Sequence, residues 1–461
     1  MLTALLLMAV VMSAAELKPV KYVFLFIGDG MSTPQRMVAE EYSVKTGGGR
    51  LAMNLLPYQV NTRTRSANSI VTDSAAAATA IACGEKTDNG MLGQTPDGRR
   101  LESVAEVAKK AGMKVGIMTT VAIAHATPAG FYAHRRSRGQ YYQIGLDLVA
   151  SGFDHFAGAG LFGCQDDRDD PEFCGNIFEL AHDAGYAVTR TRKEWQALKP
   201  GGRSWSVFGG NSAMRFDIDN DGGDEAKLHE MLEKGIELLD NPKGFFIMCE
   251  GGKIDYAGHA NDAAANLRDV LALDRAVKSA LEFQDRHPDE TLIITTGDHE
   301  TGGMSMGFAG AGYSFKVEKF SKQKVSVEEF SSEIKRFISK RAGEKLSLDD
   351  VKPLLKERFG LEDLSKSETE KLGEAFAKDV HNVKSRLKDT TAHDVRRLYV
   401  FAQTVKNVLA ARAGVGWSTH SHTALPTLTT AKGPGAEILV GMTDNTDIGI
   451  RLKKLIAERV R

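Results

Sequence analysis

This sequence has few cysteines and almost no net charge. It holds 4 cysteines in 461 residues, and its formal net charge is -1 with an isoelectric point near 6.9. A balance this close to neutral gives no electrostatic reason to expect binding to nucleic acid or to an anionic membrane surface. A short-period repeat is also lacking, so a repeat architecture is not expected.

The few cysteines fall into two kinds. Cys164 and Cys174 bracket a polar, acidic loop, and in an oxidising compartment we expect a disulfide between them that closes it. The alternative is two free thiols. Cys83 and Cys249 lie among apolar residues and are expected to be buried thiols.

A hydrophobic run long enough to span a membrane is missing as well. The N-terminal run M-L-T-A-L-L-L-M-A-V-V-M-S-A-A-E is too short for that. It ends in small residues, with Ser13 and Ala15 placed for cleavage before Glu16. Residues 1–15 are therefore predicted to be a signal peptide, and the mature protein to be periplasmic or secreted. The alternative is a buried N-terminal strand or helix.

Short apolar runs elsewhere predict buried strands of a parallel sheet. They are Y-V-F-L-F-I (22–27), K-V-G-I-M-T (114–119), F-F-I-M-C (245–249), T-L-I-I-T-T (291–296) and A-E-I-L-V-G (436–441). Helical patterns separate them, for example residues 101–112, which Gly112 closes. This alternation predicts an α/β fold with three α/β/α layers around a large central, mostly parallel sheet.

Residues 318–412 have a different composition. They are rich in Lys and Glu, poor in glycine, and carry periodic helical stretches. We interpret them as a helical insertion into an α/β body formed by residues 16–317 and 413–461. The alternative is a separate helical domain with its own partner. Strand-like sequence over 425–441 favours the insertion.

One hydroxyl stands at the start of an apolar helix. The stretch V-T-D-S-A-A-A-A-T-A-I-A-C-G (71–84) predicts a buried helix with Ser74 at its mouth. Helix capping is the ordinary role for such a serine, but a capping box would need Glu or Gln where Ala77 stands. The Ser74 hydroxyl is therefore not expected to take part in capping. It lies at the positive end of the helix dipole, where an anion is stabilised.

Acidic residues and histidines follow the predicted strands. Asp29 follows the first, Glu250 ends F-F-I-M-C-E, and Asp298 and His299 follow L-I-I-T-T-G. Taken singly, each is an ordinary turn residue. Because sites in open α/β sheets form beyond the carboxyl ends of the strands, all of them together predict one site.

A second cluster lies in E-G-G-K-I-D-Y-A-G-H. Asp255 and His259 are one helical turn apart on the same face, and S-T-H-S-H-T-A adds His420 and His422. Carboxylate with imidazole suits zinc, whereas an all-oxygen set suits magnesium. The alternative is a capping aspartate beside a surface histidine.

Three motifs in this order, T-D-S-A-A-A-A-T-A, E-G-G-K-I-D-Y-A-G-H and T-G-D-H-E-T-G, closely resemble those of the alkaline phosphatases. The resemblance covers roughly residues 20–315 and 415–459 and leaves out the helical insertion. It implies hydrolysis of a broad range of small phosphate monoesters through a phosphoserine intermediate, two Zn2+ and one Mg2+, and a homodimer.

The resemblance also implies roles for individual residues. Ser74 would be the nucleophile and Arg138, chosen over Arg135 and Arg136, would grip the phosphate, with Asp73 orienting the arginine. The implied metal ligands are Asp255, His259 and His422 for one zinc; Asp29, Asp298 and His299 for the other; and Asp29, Thr127 and Glu250 for magnesium.

Two positions depart from one well-known bacterial pattern within the family. His125 stands where some members have Asp, and Tyr256 where they have Lys. The first change is expected to loosen selectivity for magnesium. The second is expected to weaken inhibition by the phosphate product.

The sequence disfavours three other functions. A sulfatase needs Cys or Ser in C/S-x-P-x-R, which neither Ser74 nor any cysteine has. Related phosphodiesterases usually carry a Thr nucleophile and lack the magnesium ligands. A binding or scaffold protein is disfavoured because every expected ligand is present.

A calcium loop is also rejected. The acidic stretch 217–225 resembles the start of one, but Leu228 occupies its twelfth position, so a solvated turn before a helix at 225–239 is predicted.

Overall fold

The computed structural model describes residues 20–386 and 399–458. Its strands are β1 (Tyr22–Gly28), β2 (Tyr58–Thr62), β3 (Lys114–Ala122), β4 (His155–Ala159), β5 (Tyr186–Thr189), β6 (Arg203–Val207), β7 (Phe245–Gly251), β8 (Thr291–Gly297), β9 (Glu300–Thr301), β10 (Ser305–Met306), β11 (Val415–Gly416), β12 (His422–Thr423) and β13 (Thr427–Lys432).

The α-helices are α1 (Thr33–Lys45), α2 (Ser74–Cys83), α3 (Val104–Lys110), α4 (Ala126–Ala129), α5 (Tyr141–Ser151), α6 (Ile177–Asp183), α7 (Arg192–Ala197), α8 (Leu228–Leu239), α9 (Lys253–His259), α10 (Ala263–Arg286), α11 (Val327–Lys340), α12 (Lys352–Phe359), α13 (Lys366–Arg386), α14 (Val400–Ala413) and α15 (Thr446–Glu458). Short 3-10 helices cover Ala52–Asn54, Val317–Lys322, Leu348–Asp350 and Ala436–Leu439.

A nine-stranded sheet runs through the molecule in the order β2-β13-β8-β1-β7-β3-β4-β6-β5. Its pairings are parallel except those of β13 with β2 and β8. Alternate residues of β1 enter two different cores: Phe24 and Phe26 pack on one face of the sheet, Val23 and Leu25 on the other. Helices cover both faces, so the predicted three-layer α/β/α fold is confirmed.

Four of the five predicted strands are present, and the fifth is wrong. Residues 436–441 do not form a strand, since Ala436–Leu439 is a 3-10 helix and the strand of this region is β13. Gly435 has a left-handed φ of 82°, which turns the chain out of the sheet. Ala436 and Leu439 are both buried and lie three residues apart, a helical spacing that a short apolar run does not reveal.

Helices also occupy the segment interpreted as an insertion. They pack into the same hydrophobic core as one face of the sheet. A buried carboxylate joins them to the body: Asp262 caps α10 by accepting the Ala265 N–H at 3.2 Å. The same carboxylate accepts the Val327 N–H at 2.7 Å and the Gln323 side-chain amide at 2.9 Å. The start of α11 is therefore fixed to the start of α10.

The predicted disulfide is not formed. Cys164 and Cys174 are free thiols with separate partners: the Cys164 thiol contacts the Phe162 carbonyl at 3.9 Å, and the Tyr142 hydroxyl contacts the Cys174 sulfur at 3.9 Å. Each sulfur is thus held in its own local environment. The other two cysteines are buried thiols, as predicted.

The acidic stretch 217–225 is only partly solvated, because its first aspartates contact α10 and the start of α11 while Asp221 and Asp224 are exposed. Asp217 pairs with Arg275 at 2.5 Å, and Asp219 accepts the Ser326 N–H at 2.8 Å. The helix that follows begins at Leu228 rather than at 225.

Within residues 20–386 and 399–458, no helix has both the length and the apolar character needed to cross a bilayer. The predicted signal peptide, 1–15, lies outside the described residues.

Candidate active site

Carboxylates meet at the carboxyl ends of three neighbouring strands. Asp29 follows β1, Glu250 is the penultimate residue of β7, and Asp298 follows β8. The parallel register aligns the glycines that end these strands. This edge of the sheet is where ligands bind in open α/β folds.

Ser74 is the first residue of α2, but it does not cap the helix. Asp73 is the N-cap, and its carboxylate accepts the Ala76 N–H at 3.0 Å. The expectation of a hydroxyl unused in capping therefore holds, with the cap one residue earlier. The Ser74 Oγ instead lies 3.1 Å from His299 Nε2, and the side chain is buried.

One group of potential metal ligands comprises Asp255, His259 and His422. The carboxylate oxygens of Asp255 lie 3.4 Å from His259 Nε2 and 3.6 Å from His422 Nε2. Each histidine donates its Nδ1 proton to a backbone carbonyl: His259 to His420 at 2.6 Å, and His422 to Thr72 at 2.9 Å. In neutral rings both Nε2 atoms then carry lone pairs, and they face each other at 3.2 Å. Such an arrangement fits a cation.

His420 is not part of this group. Its Nδ1 lies 3.0 Å from the His259 carbonyl oxygen, and its side chain is exposed. Of the two histidines left open by the sequence, the structure brings His422 to the other ligands.

A second group comprises Asp29, Asp298 and His299, all with no exposed surface. His299 Nε2 lies 3.3 Å from an oxygen of each aspartate. Because Ser74 contacts the same nitrogen, its hydroxyl lies beside this group.

A third group comprises Asp29, Glu250 and His125. Thr127 donates to Asp29 Oδ2 at 3.2 Å, which brings it to the position expected from the sequence. His125, which was expected to influence selectivity for magnesium, is the remaining member, and its Nδ1 lies 3.8 Å from the same oxygen. The Thr119 hydroxyl donates to Glu250, so a threonine side chain steadies each carboxylate.

The charges of these groups are strongly perturbed. Burial, followed by the neighbouring carboxylates, raises the pKa of Asp29 well above its ordinary value, and burial raises the pKa of Asp298 in the same way and that of Glu250 to about 7. Burial, with nearby cationic groups, lowers the pKa of His125 and His299 well below the ordinary range. In the protein alone, the ionised carboxylates are therefore destabilised.

Four buried atoms in these groups have no hydrogen-bond partner among the described residues: Asp29 Oδ1, Asp298 Oδ2, Glu250 Oε1 and His125 Nδ1. Buried polar atoms are normally satisfied. Carboxylate oxygens and imidazole nitrogens are ligands for zinc, and carboxylate and hydroxyl oxygens for magnesium. The residues present thus fit bound divalent ions.

Arg138 brings positive charge to the same place. Its guanidinium lies 3.0 Å from Asp73 Oδ2 and 3.0 Å from His125 Nε2. Burial alone would lower its pKa, but the surrounding carboxylates, Asp73 first, raise it on balance. The two competitors face elsewhere: Arg135 forms ion pairs with carboxylates, and Arg136 contacts a backbone carbonyl. A guanidinium held by Asp73, the residue before Ser74, has the geometry to bind two oxygens of an anion.

Two threonine side chains that contact candidate metal ligands, Thr119 and Thr301, were not predicted from the sequence. Thr119 ends a predicted strand, which is itself a signal for a site residue. Thr301 lies two positions after His299 and donates to Asp255 at 2.6 Å. A threonine in a glycine-rich turn gives no such signal without the fold.

The chain is similar to proteins of one family. The sequence profile described as Alkaline phosphatase matches residues 20–155 and 168–457. Alkaline phosphatase 4 of Bacillus subtilis is 30% identical over 450 residues, covering 93% of this chain and 87% of that protein.

Two solved structures are similar over nearly their whole length. The cold-active alkaline phosphatase of a psychrophilic Shewanella sp. has a TM-score of 0.79 and 25% identity, covering 94% of this chain and 99% of its own. The Thermus thermophilus alkaline phosphatase has a TM-score of 0.76 and 27% identity, covering 99% of both chains. Since the family profile spans most of the sequence, this chain belongs to the alkaline phosphatase family and is a phosphomonoesterase.

Proposed function

We propose that this chain hydrolyses phosphate monoesters through a phosphoserine intermediate on Ser74, at a site with two zinc ions and one magnesium ion. The observation that carries the proposal is the position of the Ser74 hydroxyl. It is free of capping, stands at the N-terminus of a buried helix, and lies 3.1 Å from His299 Nε2.

The ligand groups divide among the ions according to their chemistry. One zinc would be held by Asp255, His259 and His422, the other by Asp29, Asp298 and His299, and magnesium by Asp29, Thr127 and Glu250. When bound, these ions supply positive charge to the transferring phosphoryl group and lower the pKa of the serine hydroxyl.

The side chains of the chain position the substrate for two displacements. Arg138, oriented by Asp73, binds two phosphoryl oxygens. Ser74 Oγ then loses its proton and forms a bond to phosphorus as the bond to the leaving alcohol breaks, and the alcohol oxygen takes up a proton. A water molecule loses a proton and attacks the phosphoserine, the Oγ–P bond breaks, Ser74 Oγ takes up a proton, and phosphate leaves. Two in-line displacements give net retention at phosphorus.

The same residues favour small monoesters of a broad range. The groups at the site bind the phosphoryl end of the substrate, and its dianionic charge matches Arg138 and the cations that the ligand groups fit. A diester carries one charge less and a second substituent on phosphorus.

A comparison of rates tests the reaction. An aryl phosphate monoester, a diester and a sulfate are supplied to the purified protein, with its zinc and magnesium content measured. Monoester turnover should be highest. Faster diester turnover would overturn the assignment.

Covalent trapping tests the mechanism. After an acid quench with labelled monoester, the peptide carrying Ser74 should hold the phosphoryl group. Ser74→Ala should lose both label and turnover, whereas the neighbouring Ser69→Ala should keep both. Full activity of Ser74→Ala would overturn the mechanism.

Export, a homodimer and division into a body (16–317 and 413–461) with a helical insertion (318–412) belong to the same proposal. The intact mass of the secreted protein and light scattering of the purified protein test the first two. Retention of Met1, or a monomer mass, would overturn the corresponding part.

A further inference from the structure

Thr301 lies between the ligand group of Asp255, His259 and His422 and the ligand group of Asp29, Asp298 and His299. It ends β9, has no exposed surface, and pairs directly with His422 across the antiparallel β9–β12 ladder. Its hydroxyl contacts one ligand from each group: Oγ1 lies 2.6 Å from Asp255 Oδ1 and 3.2 Å from His299 Nδ1. One side chain thus contacts a member of each group.

The directions of these two hydrogen bonds follow from the donors available. A carboxylate oxygen only accepts, so the single hydroxyl proton of Thr301 goes to Asp255. The hydroxyl oxygen is left as an acceptor, and His299 must donate to it from Nδ1. His299 is therefore the tautomer with its proton on Nδ1.

This tautomer leaves Nε2 of His299 without a proton, so that Nε2 can act as a metal ligand. That nitrogen carries a lone pair and faces Ser74 Oγ at 3.1 Å and one oxygen of Asp29 and of Asp298 at 3.3 Å each. The histidines of the other group obtain the same tautomer from backbone carbonyls, which can only accept. His299 instead depends on a hydroxyl, whose direction is set by Asp255 in the opposite group.

The backbone is built to admit this side chain. A Cβ added at Gly30 would lie 2.7 Å from Thr301 Oγ1, and one at Gly258 would lie 2.9 Å from its Cγ2. These glycines directly follow Asp29 and directly precede His259. Close approach of both ligand-bearing segments to Thr301 therefore requires glycine at these positions.

We propose that Thr301 is a positioning residue that fixes the Nδ1–H tautomer of His299 and couples the geometry of the two zinc groups through Asp255. The inference rests on the proposed function for the identity of the metal, but the tautomer and the coupling are properties of the chain itself. Hydrogen-bond partners of metal ligands typically contribute about 10- to 100-fold in affinity or activity.

The test compares three variants. Thr301→Val keeps the shape but loses both hydrogen bonds, and Thr301→Ser keeps the hydroxyl but loses the methyl group. Thr295→Val is the matched control, because Thr295 is equally buried in β8 and its hydroxyl bonds to the Thr430 hydroxyl rather than to a candidate metal ligand. Zinc affinity is measured by chelator competition, kcat and KM are measured separately, and nitrogen-15 histidine spectra report the tautomers.

We expect Thr301→Val to lower zinc affinity and kcat by about 10-fold or more. Thr301→Ser should recover most of this loss, and Thr295→Val should bind zinc like the parent protein. In the metal-free parent protein, the His299 resonance, assigned by through-bond spectra of the parent itself, should have the Nδ1–H signature.

Several results would overturn the inference. They are parental zinc affinity in Thr301→Val, equal losses in Thr301→Ser and Thr301→Val, or an Nε2–H signature for His299 in the parent. The last measurement needs no variant, so it decides the question even if Thr301→Val fails to fold. Failure of the phosphoserine mechanism would appear instead in Ser74→Ala, with these zinc affinities and spectra unaffected.

Discussion

Arg138 Nη1 lies 3.0 Å from Oδ2 of Asp73, the residue directly before Ser74. The other oxygen of the same carboxylate caps the helix that Ser74 begins. Asp73 therefore fixes the guanidinium and the helix start relative to each other, and under the proposed function this contact would orient Arg138 toward the phosphoryl oxygens.

Asp73→Asn separates these two functions of Asp73. Asparagine still caps the helix, but the charged contact with Arg138 is lost. We expect the inhibition constant for inorganic phosphate to rise by about 10-fold, corresponding to about 1.4 kcal/mol, with little change in thermal stability. Asp73→Ala should also lose about 1 kcal/mol of stability, because the cap is gone. Unchanged phosphate inhibition in both variants would contradict this reading of the contact.

Tyr256→Lys tests the departure from the bacterial pattern. The Tyr256 ring packs edge-on against His125 at 6.0 Å and offers no positive charge to an anion. The parent protein should not be inhibited by phosphate in the low micromolar range. A lysine should tighten phosphate inhibition by about 10-fold through added attraction, while Tyr256→Phe serves as the uncharged control. Low micromolar inhibition of the parent would contradict the prediction.

His125→Asp should change which metal the third group prefers. Its ligands would become all oxygen, which suits magnesium, whereas the imidazole of the parent also suits zinc. After equal exposure to both metals, the variant should retain more magnesium than the parent, as measured by elemental analysis. A higher zinc content in the variant would show that His125 does not influence this choice as predicted.

The stability of the metal-free protein should fall as pH rises from about 4.5 to about 7. Burial raises the pKa of Glu250 to about 7 in the folded state, above the ordinary 4.5 of an unfolded chain. In that window the unfolded chain releases its proton while the folded protein retains it, so deprotonation favours unfolding. Asp29 and Asp298 act in the same direction. The lowered pKa of His125 and of His299 acts in the opposite direction below about pH 6.5, so the contribution of Glu250 is given by the difference between the parent and Glu250→Gln.

Urea unfolding after chelation measures this dependence. The midpoint should be lower at pH 8 than at pH 5, Glu250→Gln should flatten the slope, and added zinc and magnesium should restore stability at pH 8. A midpoint that rises between pH 5 and pH 8 without metal would contradict the prediction.

Local pattern predicted much of the fold and the clustering of the candidate site. Buried parallel strands are continuous apolar runs, and Asp29 and Glu250 stand where such runs end, so their meeting followed from the geometry of a parallel sheet. Residues 436–441 show the limit, because a short apolar run fits a strand or a helical turn equally well.

Side-chain contacts between distant segments could not be predicted in this way. The approach of His125 to Asp29, and of Thr301 to Asp255, depends on which strands are neighbours and on loop paths. Neither leaves a periodic signal. The separate environments of Cys164 and Cys174 are likewise set by packing, which cannot be predicted from the spacing of two cysteines in the sequence.

The carbonyl of Thr72 that holds His422 lies 350 positions away in the sequence, and Ser74 lies 225 positions from His299. Closing such long loops lowers the conformational entropy of the chain. Only the contacts of the completed sheet offset this cost. During synthesis, the ligand group containing His422 cannot assemble until the chain has been made through His422. Metal uptake at that group should therefore mark the end of folding, and the amount of tightly bound zinc in a preparation should measure the fraction of chains that folded to completion.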